Sequence, residues 1–143
     1  MKKTFLIFST LFFATCAFAQ NGFDSGNKSS NSVEKATIDW SHTYNLTAEQ
    51  TKAAFKIQEN KYQNLLKIES LKTSDLKKYV AKRLSTFTVA ENDLMVLLDD
   101  NQLKTFKQQQ VEKSRKYDSF VSKMKKQGLN EAEMNQKMVD LEF

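Results

Sequence analysis

Four residue types that build functional sites or interrupt helices are scarce in this 143-residue chain. It has no proline, three glycines, one cysteine and one histidine. The cysteine, Cys16, lies in an N-terminal segment that we expect to be removed, so the remaining chain cannot form disulfides, thiolate metal sites or a cysteine nucleophile. The histidine, His42, precedes the first long predicted helix, and the sequence places no nucleophile beside it. We therefore predict that the protein is not an enzyme, has no catalytic residues and needs no cofactor.

The first 19 residues have the features of a secretory signal peptide. Two lysines at positions 2 and 3 form a basic start, and residues 5–13 form an apolar core that is too short to stay in a bilayer. Residues 17–19, Ala-Phe-Ala, form a cleavage site of small residues. We therefore expect an exported protein that is cleaved between Ala19 and Gln20.

The chain that remains after this cleavage is only mildly basic. Loss of the two N-terminal lysines leaves 20 basic residues against 17 acidic ones, and the lysines are interleaved with acids. Nucleic-acid binding needs a concentrated basic surface, so export and this mild charge predict no nucleic-acid partner. The small basic excess would favour acidic clients or, weakly, an anionic membrane surface.

Residues 20–45 are predicted to form a flexible N-terminal arm before a helical domain at 46–143. The arm is rich in Asn, Ser, Gly, Lys and Asp up to about Thr37, and such a segment buries too little apolar area to offset its ordering entropy. Four apolar residues then alternate loosely and are expected to dock on the helices as an extended stretch. These residues are Ile38, Trp40, Tyr44 and Leu46. Trp40, the only tryptophan, is expected to be a packing anchor.

The fold class is predicted to be all-α, with three long amphipathic helices in antiparallel hairpins and a short C-terminal helix. Apolar residues recur three or four positions apart along each long segment, which is typical of amphipathic helices. The long helices are expected at about 47–70, 74–98 and 99–127, and short connections predict antiparallel neighbours. Gly128 suits the end of the third helix, and the final helix is expected to start at 130.

Polar caps mark where the predicted helices begin. Thr47-Ala48-Glu49-Gln50 is a capping box, in which the Thr47 side chain accepts from the Gln50 amide and Gln50 reaches back to the Thr47 amide. Ser74 is expected to cap the second helix and Asp99 the third. A tight corner is predicted before Asp99, because a five-residue step in the apolar pattern turns the apolar stripe by about 140°.

Two segments that lie 52 residues apart share one pattern, and each stands at the start of a long predicted helix. The first contains Leu46, Thr47 and Gln50, and the second contains Leu98, Asp99 and Gln102. The pair resembles the two LTxxQ motifs of the Spy/CpxP-like family of small periplasmic helical proteins. The second copy departs from the family pattern, because Asp99 stands where the family has Thr, although Asp is also a good cap. The resemblance covers roughly residues 46–126.

This resemblance implies a thin all-α fold, often paired into a curved dimer, and a periplasmic location. It also implies ATP-independent chaperone activity or a role in envelope stress, with metal binding in some relatives. We therefore predict a homodimer that binds unfolded or partner proteins. A metal-responsive regulator and a partner-specific adaptor are alternatives. No metal site is predicted, because the only soft ligands on one helix face, Met134 and Met138, are expected to pack.

The predicted client-binding residues are aromatic. Because a thin layer of helices has little interior, some of its aromatic side chains are expected to remain exposed. An exposed aromatic strip beside lysines and glutamines can bind unfolded chains without sequence specificity. The candidates are Tyr79, Tyr117, Phe87, Phe106 and Phe120. Tyr79 and Tyr117 are the first choices, because each lies among lysines and carries a hydroxyl that suits a wet surface.

Overall fold

The computed structural model describes residues 29–139, and over this range it contains six α-helices and no strand. The helices are α1 (Ser29–Tyr44), α2 (Ala48–Ile68), α3 (Leu71–Ser74), α4 (Leu76–Leu97), α5 (Asp100–Lys126) and α6 (Glu131–Val139). The all-α prediction is therefore confirmed for this part of the chain. The predicted signal peptide at 1–19, residues 20–28 of the predicted arm, and residues 140–143 lie outside the described range.

The prediction of a flexible, extended arm is wrong for residues 29–44, because these residues form α1. Val33, Thr37, Trp40 and Tyr44 fall three or four positions apart on this otherwise polar segment, and three of them are buried. The helix packs along α2, and this tertiary packing stabilises it where composition alone would not. Trp40 packs against the buried residues Tyr44, Leu94 and Phe106, which confirms its predicted role as a packing anchor.

The predicted capping boxes at the starts of α2 and α5 are confirmed. Thr47 and Gln50 exchange the two box hydrogen bonds at the start of α2, and Asp99 and Gln102 do so at the start of α5. Chain direction therefore changes at the corner before Asp99, as the apolar pattern predicts. A third box starts α6, where the amide of Asn130 donates to Glu133 at 2.8 Å and the amide of Glu133 donates to Asn130 at 3.0 Å.

The prediction that Ser74 caps the second long helix is wrong. Asp75 is the N-cap of α4, and its carboxylate accepts from the Lys78 amide at 3.0 Å. Ser74 instead ends the single turn of α3, and its hydroxyl donates to the Ser70 carbonyl at 3.0 Å. A carboxylate is the stronger acceptor for an amide at a helix N-terminus, so the helix begins one residue later than predicted.

The end of α5 has the geometry that its glycine predicts. Gly128 has a φ of 71°, in the left-handed region that glycine adopts without a steric cost. Its amide donates to the Lys125 carbonyl at 3.0 Å, and the Leu129 amide donates to the Met124 carbonyl at 3.3 Å. These two bonds form a Schellman motif, which ends the helix and sends the chain back towards α6.

Seven of the ten buried apolar residues in the described range form two small clusters at opposite ends of the antiparallel pair α2 and α4. One cluster contains Tyr79 and Val80 of α4 with Met124 of α5 and Met138 of α6. The other contains Tyr44, Leu94 and Phe106, from α1, α4 and α5. None of the helices in residues 29–139 combines the length and the apolar character needed to cross a membrane.

Candidate partner-binding surface

The two motif glutamines meet in space at the starts of α2 and α5. The Nε2 of Gln50 donates to the Oε1 of Gln102 at 2.8 Å, and the Nε2 of Gln102 donates to the Oε1 of Gln50 at 2.9 Å. Each Oε1 also accepts from the cap residue of its own helix, Thr47 at 2.8 Å and Asp99 at 2.9 Å. One pair of side chains therefore holds the first turns of two helices together.

The same pair also fixes the turns that precede these helices. Gln50 Nε2 donates to the Leu97 carbonyl at 2.6 Å, and Gln102 Nε2 donates to the Asn45 carbonyl at 3.1 Å. Asn45 lies five residues before Gln50, and Leu97 lies five residues before Gln102, so the contacts repeat with an approximate twofold relation. The motif leucines, Leu46 and Leu98, pack against the adjacent core cluster. The glutamine pair therefore has a structural role, and the sequence predicts the two caps but not their contact.

Two of the five predicted client-binding aromatics are buried, so the prediction that they are exposed is wrong. Tyr79 is 7% exposed and packs with Val80, Met124 and Met138. Phe106 is 5% exposed, and its ring centroid lies 5.8 Å from that of Tyr44. Both residues lie on the inner side of their helix, where burial of their rings stabilises the core.

The other three predicted aromatics are half-buried. Tyr117 and Phe120 of α5 pack against the cluster that contains Met124. Phe87 of α4 is covered by two cationic groups, with Lys61 Nζ at 5.1 Å and Arg83 Cζ at 5.2 Å from the ring centroid. The five residues therefore do not form one exposed aromatic strip.

The most exposed large apolar side chain on α4 is Val96, at 81%, and Val89 on the same helix is 52% exposed. These residues are seven positions apart, so they share one face of the helix. Exposed Lys78, Lys82 and Ser85 continue that face towards the start of α4. We call these five residues the α4 stripe. One exposed valine on a helix is common, but two exposed valines on the same face of one helix are less common.

The α4 stripe points away from α5. Glu91 forms an ion pair with Lys113 of α5, and residue 89 lies about 200° around the helix from residue 91. The signal for this surface is present in the sequence, because Val89 and Val96 are apolar residues that fall outside the core-facing stripe of α4. The client-binding residues predicted from the sequence are all aromatic and therefore do not include Val89 or Val96.

A polar layer separates the two core clusters. Lys61 of α2 lies 5.5 Å from the Trp40 ring centroid and also contacts Phe87. Burial, and then the nearby Lys113, lower the pKa of Lys61, while Glu91 acts in the opposite direction. Burial and the same glutamate raise the pKa of the Tyr44 hydroxyl. The charged and polar groups of this layer therefore interact electrostatically across four helices, α1, α2, α4 and α5.

His42 and the two methionines on α6 are the candidate metal ligands of the sequence that lie within residues 29–139. Within that range, no group of three or more His, Cys, Asp or Glu residues could hold a metal ion. His42 is exposed on α1. Met138 is buried in the core and Met134 packs against it, which is the packing role expected for both residues.

Comparison with known proteins gives no relative of this chain. No protein-family model, no curated protein and no solved structure matches it.

Proposed function

We propose that this protein binds unfolded or partly folded polypeptides on the α4 stripe, as an ATP-independent chaperone or envelope-stress factor. The observation that supports this proposal is the solvent exposure of Val89 and Val96 on one face of α4. Single exposed apolar side chains are common on soluble proteins, whereas here two lie two turns apart on one helix face.

The composition of the stripe suits a non-specific client. The two valines offer apolar contact without a demand for a particular sequence, and burial of apolar surface contributes about 25 cal/mol per Å². Lys78 and Lys82 on the same face are exposed, and their charged ends would keep a complex with an apolar client in solution. The surface thus combines attraction to apolar segments with solubility.

The paired capping motifs support a Spy/CpxP-like identity as part of the same proposal. Two motif copies start two long helices, and the two glutamines join them through reciprocal hydrogen bonds. We accordingly propose a periplasmic location, a Spy-like arrangement of helical hairpins and a homodimer.

The test is a light-scattering assay of an aggregating model client in the absence of ATP. Equimolar wild-type protein should slow aggregation, and the double variant V89S/V96S should lose most of this effect. The matched control is V111S combined with I38S, because Val111 and Ile38 are 51% and 53% exposed on α5 and α1. The control should retain the effect.

Unaltered client aggregation with a tenfold excess of folded wild-type protein would refute the chaperone proposal and leave a partner-specific adaptor. Equal losses in V89S/V96S and in the control would show that binding does not depend on the α4 stripe. Sedimentation of each variant at several concentrations reports whether the stripe instead joins two copies of the chain.

A further inference from the structure

The net positive charge of the described chain is concentrated in two segments. Residues 67–82 and 123–137 together contain nine lysines and four acidic residues. All other described residues contain ten basic and ten acidic side chains, so the rest of residues 29–139 is formally neutral. The mild overall charge of the chain therefore hides a strongly asymmetric distribution.

The fold brings these two segments to one end of the molecule. Ile68 and Leu71 of the first segment pack against the same core cluster as Met124 and Met134 of the second. An ion pair of 2.7 Å between Lys77 and Glu131 also joins them. We call this part of the molecule the basic end. It is formed by the end of α2, by α3, by the start of α4, by the end of α5 and by α6.

A groove of about 490 Å³ opens on the basic end between α2 and α4. Lys67, Lys78 and Lys82 line it together with Ser70, Ser85 and Thr86, and the Thr86 hydroxyl donates to the Lys82 carbonyl at 2.9 Å. Ile68 and Leu71 also line it, and none of the described residues in its wall is acidic. Lysines and hydroxyls together are donors that suit a phosphate group.

The three groove lysines are not neutralised by the described part of the protein. No ion pair there includes Lys67, Lys78 or Lys82. Asp75, the nearest acid before Lys78, instead accepts from the Lys78 backbone amide as the cap of α4. Lys67 Nζ donates to the neutral side chain of Asn64 at 3.4 Å, so the positive charge of all three lysines remains available to an external anion.

We propose that the basic end docks on bilayer surfaces that carry anionic phospholipids, with a headgroup phosphate in the groove between α2 and α4. The nine lysines are distributed over the ends of several helices, and only three of them line the groove. A broad surface of many phosphates matches that distribution better than a single extended acidic peptide does. Attraction of this kind acts over about a Debye length and weakens with salt. Lys78 and Lys82 belong to both the groove and the α4 stripe, but V89S/V96S leaves the groove lysines in place, so vesicle binding and client binding are tested separately.

The test is co-sedimentation of the purified protein with vesicles. Vesicles that contain phosphatidylglycerol should bind the protein at low salt, and vesicles of phosphatidylcholine alone should not. The triple variant K67Q/K78Q/K82Q should bind the anionic vesicles at least about tenfold more weakly. The matched control is K52Q/K56Q/K104Q, which removes the same charge from the neutral part of the molecule and should change binding by less than about twofold. Circular dichroism checks that each variant is folded.

A second variant, K123Q/K125Q/K126Q, tests the other segment of the basic end and should also weaken vesicle binding. Equal losses in the groove variant and in the control would overturn the proposal, because binding would then follow net charge alone. Binding to phosphatidylcholine vesicles would overturn it too. Capture by immobilised poly-glutamate without binding to anionic vesicles would show that the basic end takes acidic polypeptides instead.

Discussion

Gln58 is almost fully buried on α2, yet neither polar atom of its side chain has a hydrogen-bond partner in the described protein. It lies two turns after Thr51, whose hydroxyl contacts Ser41 of α1 at 3.2 Å, so both residues face the contact between α1 and α2. A buried amide without partners costs about 1–3 kcal/mol. The packing of α2 is therefore weakened by the unpaired amide of Gln58.

Gln58→Met should consequently stabilise the protein. Methionine has a similar length and no polar group to desolvate, so we expect the free energy of unfolding in urea to rise by about 1–2 kcal/mol. Gln63→Met, at an exposed position on the same helix, serves as the control and should change stability by less than about 0.5 kcal/mol. A loss of stability in Gln58→Met would show that the amide has partners in solution.

At the scale of the helix, local signals decided which predictions succeeded. The boundaries of α2, α5 and α6 follow from capping boxes that span four residues, and such signals need no tertiary context. Gly128 was predictable for the same reason, because only a left-handed residue ends the helix in this way.

The failures arose where distant contacts decide the structure. Helix α1 has a polar composition, and only packing on α2 makes it helical. Ser74 was predicted to cap the second long helix, but the carboxylate of Asp75, one residue later, caps it instead. The sequence around Tyr79 and Phe106 does not show whether these rings are buried or exposed. Tyr79 is buried because residues of α5 and α6 pack on it, and Phe106 is buried because Tyr44 of α1 packs on it.

The glutamine pair makes α2 and α5 depend on each other, and a double-mutant cycle should measure that dependence. Gln50→Ala and Gln102→Ala each remove a cap contact and also leave the other amide with unmet hydrogen bonds. The single variants should each lose about 1–3 kcal/mol of stability, and the double variant should lose less than their sum by about 1–2 kcal/mol.

The control for this cycle pairs Gln50→Ala with Asn130→Ala, which removes the cap of the distant α6. Their effects should add within about 0.5 kcal/mol. If Gln50→Ala and Gln102→Ala are equally additive, the reciprocal hydrogen bonds do not link the two helices energetically.

At the scale of the whole described fold, residues 29–139, two apolar clusters lie on either side of a polar layer. Val80 belongs to the cluster at the basic end, and Leu94 belongs to the cluster beside the glutamine pair. Fourteen residues of one helix separate them, or about 21 Å at 1.5 Å per residue. Lys61 and the ion pair of Glu91 with Lys113 lie in the polar layer. This division leaves little shared core, and the α4 stripe runs from the groove of the basic end, at Lys78 and Lys82, to Val96 near the other cluster.

The two clusters should therefore respond independently to mutation. Val80→Ala should cost about 2 kcal/mol and Leu94→Val about 1 kcal/mol, from the lost methyl and methylene groups and the cavities that remain. Because the two sites share no contacts, the double variant should lose the sum within about 0.5 kcal/mol in urea unfolding. Val80→Ala with Met138→Ala, which lie in one cluster, should deviate clearly from additivity. A coupling between Val80 and Leu94 as large as in that control would mean that the polar layer transmits packing changes and that the molecule has one continuous core.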